Sequence, residues 1–132
     1  MKETHLSLDE YLANYSVCPD LNDEVFTNHM INYIFCAKQI AKSTINYNEI
    51  TELDLQHLLK DKKILDVGCG EGFGSHFFSM LGANVVGIDI HEGLIKYANE
   101  KYSKKGCTFQ VMDVTNLSFE DNYFDSIVGM DI

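Results

Sequence analysis

Ten consecutive residues set the architecture of this chain: Lys63-Ile64-Leu65-Asp66-Val67-Gly68-Cys69-Gly70-Glu71-Gly72. Their apolar start predicts a short buried strand, and their glycines predict a tight turn that opens into a helix. Glycine lets the backbone bend sharply and lets a ligand lie against it with no Cβ in the way. The N–H groups at the start of the following helix suit a carboxylate or a phosphate. Tight turns also use glycine for packing alone, so the turn by itself does not fix a function.

Two nucleotide-binding motifs can be tested against the glycine turn. The dinucleotide motif requires G-x-G-x-x-G/A, but its last position falls on Phe73 when counted from Gly68 and on Ser75 when counted from Gly70. The phosphate-loop motif fails as well, because no lysine follows these glycines. An NAD-dependent oxidoreductase therefore stays a remote alternative.

Strands and helices alternate after the turn. Helices are predicted over about residues 73–81 and 91–102, and strands over about 85–89, 107–112 and 124–130. This alternation predicts βαβ units and a parallel sheet, and the continuous apolar strands fit burial on both faces. We expect an α/β fold with a parallel sheet.

Three aspartates, Asp66, Asp89 and Asp113, stand at the ends of consecutive predicted strands. Aspartate is a poor strand residue, and open α/β sheets bind ligands at the carboxyl ends of their strands. Each could singly be a helix cap. Together they predict a crevice in which all three carboxylates face one ligand, with Asp89 placed to accept hydrogen bonds from both hydroxyls of a ribose.

The order of four segments resembles that in class I S-adenosylmethionine-dependent methyltransferases. The segments are 64–72 (I-L-D-V-G-C-G-E-G), 86–90 (V-G-I-D-I), 112–114 (M-D-V) and 124–128 (F-D-S-I-V), and the resemblance covers about residues 62–132. It implies a Rossmann-like doubly wound sheet of the class I methyltransferase type. It also implies S-adenosyl-L-methionine as the cofactor and S-adenosyl-L-homocysteine as the product.

The same resemblance implies which residues contact the cofactor. They are Asp66, Gly68, Cys69, Gly70, Gly72, Asp89, Ile90, Asp113, Val114 and Met130. The turn 68–72 would face the methionine part, Asp89 would hold the ribose hydroxyls, and Ile90 would lie against the adenine. Asp113 would receive the adenine amino group beside the backbone of Val114. No catalytic residue is identified.

The fourth predicted strand is the last element of the sequence. By the same resemblance, Met130 at its end would border the methionine moiety and the sulfonium. No covering helix follows the strand, so we expect a sheet truncated after the fourth strand, or one whose open edge a dimer mate or partner chain covers.

Residues 129–132 (G-M-D-I) are also similar to the strand end of the small-molecule O-methyltransferases of ubiquinone biosynthesis. In those enzymes an acidic residue at the position of Asp131 helps to hold a divalent metal together with residues just downstream. Those downstream residues are not in this sequence, so no metal site is predicted. Asp131 is expected to be a solvated strand end.

Residues 1–60 are predicted to be a helical cover, and residues 61–132 an incomplete Rossmann-like half domain that binds S-adenosylmethionine. Helices are expected over about residues 8–15, 22–42 and 51–59, from capping patterns and from apolar residues at steps of three and four.

Four side chains of the cover are candidates for an acceptor pocket, because helices before the first strand often lid the cofactor in this family. They are Tyr11, Tyr15, His29 and Tyr33. The alternative interpretation places Tyr33 in the core and leaves His29 at the surface or as a satisfied histidine.

Composition narrows the function further. The 132 residues give room for one domain or part of one, and 10 Lys+Arg against 20 Asp+Glu give a net charge of −10. Such an acidic chain is a poor partner for nucleic acid or an anionic membrane. The 4 cysteines show no CxxC pair, and without a signal peptide they indicate reduced thiols in a cytoplasmic protein.

The sequence therefore predicts methyl transfer from S-adenosylmethionine to a small-molecule acceptor, with no nucleic acid and no membrane as partner. The first alternative is a truncated, non-catalytic subunit that binds the cofactor or another chain through the open edge of its fourth strand.

Overall fold

The computed structural model describes residues 24–41, 57–103 and 106–129 of the chain. Its elements, in order, are α1 (Glu24–Ala41), β1 (Lys63–Val67), α2 (Phe73–Met80), β2 (Asn84–Asp89), α3 (Glu92–Tyr102), β3 (Cys107–Val111) and β4 (Ser126–Gly129). The predicted alternation of strands and helices after the first strand is confirmed, and each end lies within two residues of its expected place.

The four strands form one parallel sheet in the order β3-β2-β1-β4. In the centre, Val67 of β1 pairs with Ile88 of β2 on one side and with Gly129 of β4 on the other. All carboxyl ends therefore lie at one edge of the sheet, and the strand order reverses between β1 and β4. Open α/β sheets bind ligands at such an edge. The α/β fold expected from the sequence is confirmed.

Side chains of β1 alternate between two apolar cores. Ile64 packs in the larger core, on the helix side of the sheet, together with Phe77 of α2. Leu65 and Val67 pack with Ile88 in a smaller core on the opposite side. The separation follows from the period of two along a strand, and burial on both sides explains why the strand is apolar throughout.

Helix α1 packs against α2 and contributes to the larger core. Tyr33, Ala37 and Ala41 are each less than a tenth exposed, and their spacing of four places them on one helix face. The ring of Tyr33 meets that of Phe78 edge-on, with centroids 5.3 Å apart. The helical cover thus shares its core with the sheet.

The remaining N-terminal predictions fall partly outside the described residues. The helix expected at 8–15 lies wholly outside them, and of the one expected at 51–59 only the end is described, where residues 57–61 form a turn. The boundary between residues 60 and 61 stays a prediction. Within the described ranges, no helix combines the length and the apolar character that a membrane crossing requires.

Candidate functional site

The turn after β1 is held in a conformation that requires glycine. Gly68, Gly70 and Gly72 have φ of 69°, 57° and 90°, in the left-handed region. A Cβ at Gly70 would meet no described atom within 4 Å, so the backbone there faces open space. The N–H of Cys69 donates to the carbonyl of Ile88 at 2.9 Å and ties the turn to β2. At Gly70 the turn therefore presents its backbone to open space, while Cys69 holds the turn on β2.

Asp89 links the turn to the end of β2. Its Oδ2 accepts a hydrogen bond from the N–H of Gly70 at 3.0 Å, and its Oδ1 accepts one from the N–H of His91 at 2.9 Å. Each carboxylate oxygen has two lone pairs, so both can accept a further hydrogen bond from a ligand. The two backbone donors fix the carboxylate in the orientation that such a ligand meets.

A pocket of about 280 Å³ opens at the carboxyl edge of the sheet beside Asp89. Its lining residues come from the ends of β1, β2 and β3: Val67, Gly68, Ile88, Asp89, Ile90, His91, Met112, Asp113 and Val114. Ile90 is 62% exposed and Val114 is 48% exposed. These two exposed apolar side chains form pocket walls against which a flat ring can pack.

Asp113 lines the same pocket from the end of β3. Its Oδ1 accepts hydrogen bonds from the N–H of Thr115 at 2.9 Å and from the Thr115 hydroxyl at 2.7 Å. Both bonds favour the charged carboxylate and lower the pKa of Asp113 below its usual value. Asp113 is therefore an anionic acceptor at neutral pH.

Asp66 does not line this pocket, and the prediction that all three carboxylates share one crevice is wrong. The side chain is 0% exposed and lies on the helix side of the sheet. There its Oδ2 accepts hydrogen bonds from the Ser75 hydroxyl at 2.8 Å and from the Tyr33 hydroxyl at 3.2 Å. Strand alternation is the cause, because Asp66 stands between Leu65 and Val67, which face the opposite side.

The buried position changes the chemistry of Asp66. Burial raises the pKa of Asp66 to about 7, and the charge of Asp89 adds to the rise, whereas the hydrogen bonds from Ser75 and Tyr33 oppose it. Its Oδ1 is buried and has no hydrogen-bond partner among the described residues. Asp66 is thus a buried carboxyl group with two hydrogen bonds on one oxygen and none from the described residues on the other.

Cys69 is a packed thiol in the turn. Burial, followed by the charges of Asp66 and Asp89, raises the pKa of Cys69 to about 12. The thiol therefore stays protonated at neutral pH and is a poor nucleophile, so any contact with a ligand is left to the backbone.

The sequence model of the methyltransferase-domain family matches residues 64–132. This chain belongs to the class I S-adenosylmethionine-dependent methyltransferases. The match begins in β1 and includes the glycine turn and every element that lines the pocket. It favours the methyltransferase interpretation over the nicotinamide-dependent one.

Individual relatives carry the same family name. The chain is 37% identical over 82 residues to a phosphoethanolamine N-methyltransferase of Triticum aestivum, and the match covers 60% of this chain and 16% of the relative. It is 33% identical over 90 residues to the ubiquinone biosynthesis O-methyltransferase of Coxiella burnetii, which covers 67% of this chain and 38% of the relative. The chain thus spans well under half the length of these relatives.

A solved structure supports the fold alone. A provisionally named sarcosine dimethylglycine methyltransferase from Galdieria sulphuraria superposes with a TM-score of 0.61 at 22% identity, over 84% of this chain and 39% of that one. Rossmann-like topology is therefore common to both proteins.

The geometry of the pocket and the turn fits an adenosyl cofactor. Open space at Gly70 leaves room for a ligand against the backbone, and Asp89 presents two fixed oxygens beside a pocket with apolar walls. Asp66 is not part of this fit, because its carboxyl group is buried on the helix side of the sheet. Roles for the individual residues stay predictions.

Several predicted site residues of the chain have no described side chain. Met130, Asp131, Tyr11, Tyr15 and the side chain of His29 lie outside what the structure describes. In its described part, no group of three or more His, Cys, Asp or Glu side chains could hold a metal ion.

Two contacts of Asp66 were missed at the level of sequence, although Tyr33 itself was a candidate for the acceptor pocket. Tyr33 is 7% exposed and packs in the core, as the alternative interpretation expected, but its hydroxyl also reaches Asp66. Ser75 does the same from α2. The alternation of β1 was a usable signal for Ser75, because it turns Asp66 toward the helix that follows the turn. No spacing rule connects Tyr33 to a residue so far along the chain.

Proposed function

We propose that the pocket at the carboxyl edge of the sheet binds S-adenosylmethionine, and that the chain serves methyl transfer to a small-molecule acceptor. The observation that carries the proposal is the position of Asp89. Its carboxylate is fixed by the N–H groups of Gly70 and His91 at a pocket between the exposed side chains of Ile90 and Val114.

Each residue of the pocket has a distinct part in holding the cofactor. Asp89 accepts hydrogen bonds from the ribose hydroxyls, and Asp113 accepts one from the adenine amino group. Ile90 and Val114 cover the adenine ring and exclude water from it. The backbone of the turn 68–72 lies against the methionine end. When bound, S-adenosylmethionine supplies an electrophilic methyl group on its sulfonium.

The contribution of the protein to such a reaction is mainly alignment. A well-oriented acceptor and donor can lower the barrier by roughly 7–11 kcal/mol. A small acceptor is supported by the names of two relatives, a phosphoethanolamine N-methyltransferase and a ubiquinone biosynthesis O-methyltransferase. The net charge of −10 supports the same class, because it disfavours a nucleic-acid acceptor. A cytoplasmic location and a partner at the edge of β4 remain predictions.

Binding of S-adenosylhomocysteine, measured by calorimetry, tests the proposal. We expect Asp89→Ala to weaken binding by roughly tenfold to a hundredfold, since one charge-assisted hydrogen bond is worth about 1.5–3 kcal/mol. Asp89→Asn keeps an acceptor for Gly70 but loses the charge, so its loss should be intermediate.

Asp121→Ala is the matched control, because Asp121 is an exposed aspartate outside the pocket. It should bind S-adenosylhomocysteine as the wild type does. NADH titrated by fluorescence should not bind any of these proteins. A wild-type chain that shows no heat of binding with S-adenosylhomocysteine would contradict the proposed function.

A further inference from the structure

Helix α1 lies outside the βαβ unit that forms the pocket, yet one of its side chains reaches the strand that leads into the glycine turn. The hydroxyl of Tyr33 donates to Oδ2 of Asp66 at 3.2 Å, and the hydroxyl of Ser75 donates to the same oxygen at 2.8 Å. Two donors from two helices therefore converge on one buried oxygen. The other oxygen is left without a partner among the described residues.

The ring of Tyr33 is seated where only glycine permits it. A Cβ at position 74, in the first turn of α2, would overlap the Tyr33 ring. The ring also packs edge-on against Phe78, one turn further along the same helix. The Tyr33 ring thus packs against α2 at Gly74 and Phe78, and this packing sets the position of the Tyr33 hydroxyl relative to Asp66.

We propose that Tyr33 is a positioning residue for the cofactor site: it holds Asp66 at the entry to the glycine turn, so that docking of helix α1 and occupation of the pocket reinforce each other. This inference rests on the proposed function. Asp66 is followed directly by Val67 and Gly68, which both line the pocket. A tether on Asp66 therefore acts on the wall of the pocket through a single peptide unit.

The reinforcement is reciprocal by thermodynamic necessity. If a docked α1 raises the affinity for the cofactor, the bound cofactor stabilises the docked α1 by the same factor. Helix α1 would then be most firmly seated when the pocket is filled.

The titratable groups around Asp66 make the proposed coupling measurable as a pH dependence of cofactor binding. Four titratable groups surround its carboxyl: Tyr33 and Cys36 from α1, Cys69 from the turn and Asp89 from β2. Burial raises the pKa of both thiols, so they are neutral near pH 7 and Asp89 is the neighbouring charge. The Tyr33 bond lowers the pKa of Asp66 and so favours its anion. This anion lies outside the pocket, directly before Val67 of the pocket wall, and attracts a cationic ligand from there through its charge alone.

The deciding experiment is the pH dependence of S-adenosylmethionine affinity in Tyr33→Phe, which keeps the ring and removes the hydroxyl. We expect affinity near neutral pH to fall roughly three- to tenfold, as for the loss of one hydrogen bond. The midpoint of the rise in affinity with pH should move upward, because Asp66 loses a bond that favours its ionised form. Tyr97→Phe, which alters an exposed tyrosine on α3, should match the wild type in both.

A second variant and a second measurement distinguish the effect of the Tyr33–Asp66 hydrogen bond from a general loss of fold stability. Gly74→Ala should unseat the ring and weaken binding at least as much, and the double variant should lose less than the product of the two losses. Hydrogen exchange of α1 backbone amides should slow on addition of S-adenosylhomocysteine in the wild type and much less in Tyr33→Phe.

Three outcomes would overturn the inference. Tyr33→Phe could bind with wild-type affinity. It could lose affinity while the pH midpoint and the ligand-dependent exchange of α1 stay those of the wild type, which would show a structural role alone. In a third outcome neither the wild type nor Tyr97→Phe binds either ligand, which contradicts the proposed function and removes the coupling with it.

Discussion

At the scale of single residues, the carboxyl group of Asp66 gives the protein a pH-dependent stability. Burial raises its pKa to about 7 in the folded chain, whereas the ordinary pKa of an aspartate, as in the unfolded chain, is 3.8. The folded state therefore holds a proton that the unfolded state has released. This contribution to stability is fully present below the unfolded pKa and is lost as pH rises through the folded one.

We predict that Asp66→Asn removes this dependence, because the amide has no proton to lose and its oxygen still accepts from Ser75 and Tyr33. Between about pH 4 and pH 7 the wild type should lose up to about 1.4 kcal/mol of unfolding free energy per pH unit relative to the variant. Urea denaturation across this range measures the difference. The free energy of unfolding of Asp121→Asn, a change at an exposed position, should depend on pH as that of the wild type does. The same pH dependence in Asp66→Asn would contradict the burial of Asp66.

At the scale of elements, the junction between the glycine turn and α2 is closely packed. Gly72 has φ of 90°, and a Cβ there would lie 2.7 Å from Cβ of Ala98 and 2.8 Å from the Phe109 ring. The turn, α3 and β3 therefore meet at a point that has no room for a methyl group. A substitution there disturbs both the entry to α2 and the support of the pocket.

We predict that Gly72→Ala destabilises the chain by roughly 2–5 kcal/mol, the sum of a left-handed backbone for alanine and an overpacked core. Gly93→Ala in α3 is the matched control, because a Cβ there would meet no described atom within 4 Å. It should be neutral or slightly stabilising, since alanine favours a helix. Thermal unfolding followed by circular dichroism compares them, and equal melting temperatures would contradict the packing of Gly72.

The strands and helices after residue 62 could be predicted from the sequence because they depend on residues close together in the chain. The apolar run of β1 and the glycines after it predict a strand and a turn without any knowledge of distant residues. The direction of Asp66 was also encoded, since Leu65 and Val67 on either side must share the opposite face. The contact of Tyr33 with Asp66 was not, because it depends on how α1 crosses α2 at Gly74, which no periodicity specifies.

At the scale of the whole molecule, the strand order places the pocket and the open sheet edge on different sides of β1. The pocket lies across the ends of β1, β2 and β3, where Asp89 and Asp113 are presented. On the other side of β1, β4 leaves its outer edge unpaired within the part of the chain that the structure describes, and Ile127 is 63% exposed there. The edge where a partner was predicted is therefore separate from the pocket beside Asp89.

The net charge of −10 acts on every ligand that approaches this pocket. S-Adenosylmethionine has a net charge of +1 because of its sulfonium, whereas S-adenosylhomocysteine is neutral. A unit charge about 10 Å from a carboxylate gains about 0.4 kcal/mol in water, and salt screens that gain as the Debye length falls to about 10 Å at 0.1 M. Asp89 and Asp113 line the pocket, so the cationic ligand is the more salt-sensitive one.

We predict that raising sodium chloride from about 0.02 M to about 0.5 M weakens S-adenosylmethionine binding roughly two- to fivefold and S-adenosylhomocysteine binding less than about twofold. Calorimetric titration of both ligands at each salt concentration measures the two slopes, and the neutral ligand is an internal control for effects of salt on folding. Asp113→Asn removes one pocket carboxylate and should reduce the difference between the slopes. Identical slopes for the two ligands would show that the acidic charge of the chain does not act at the pocket, because only an electrostatic attraction distinguishes the sulfonium from the thioether in its dependence on salt.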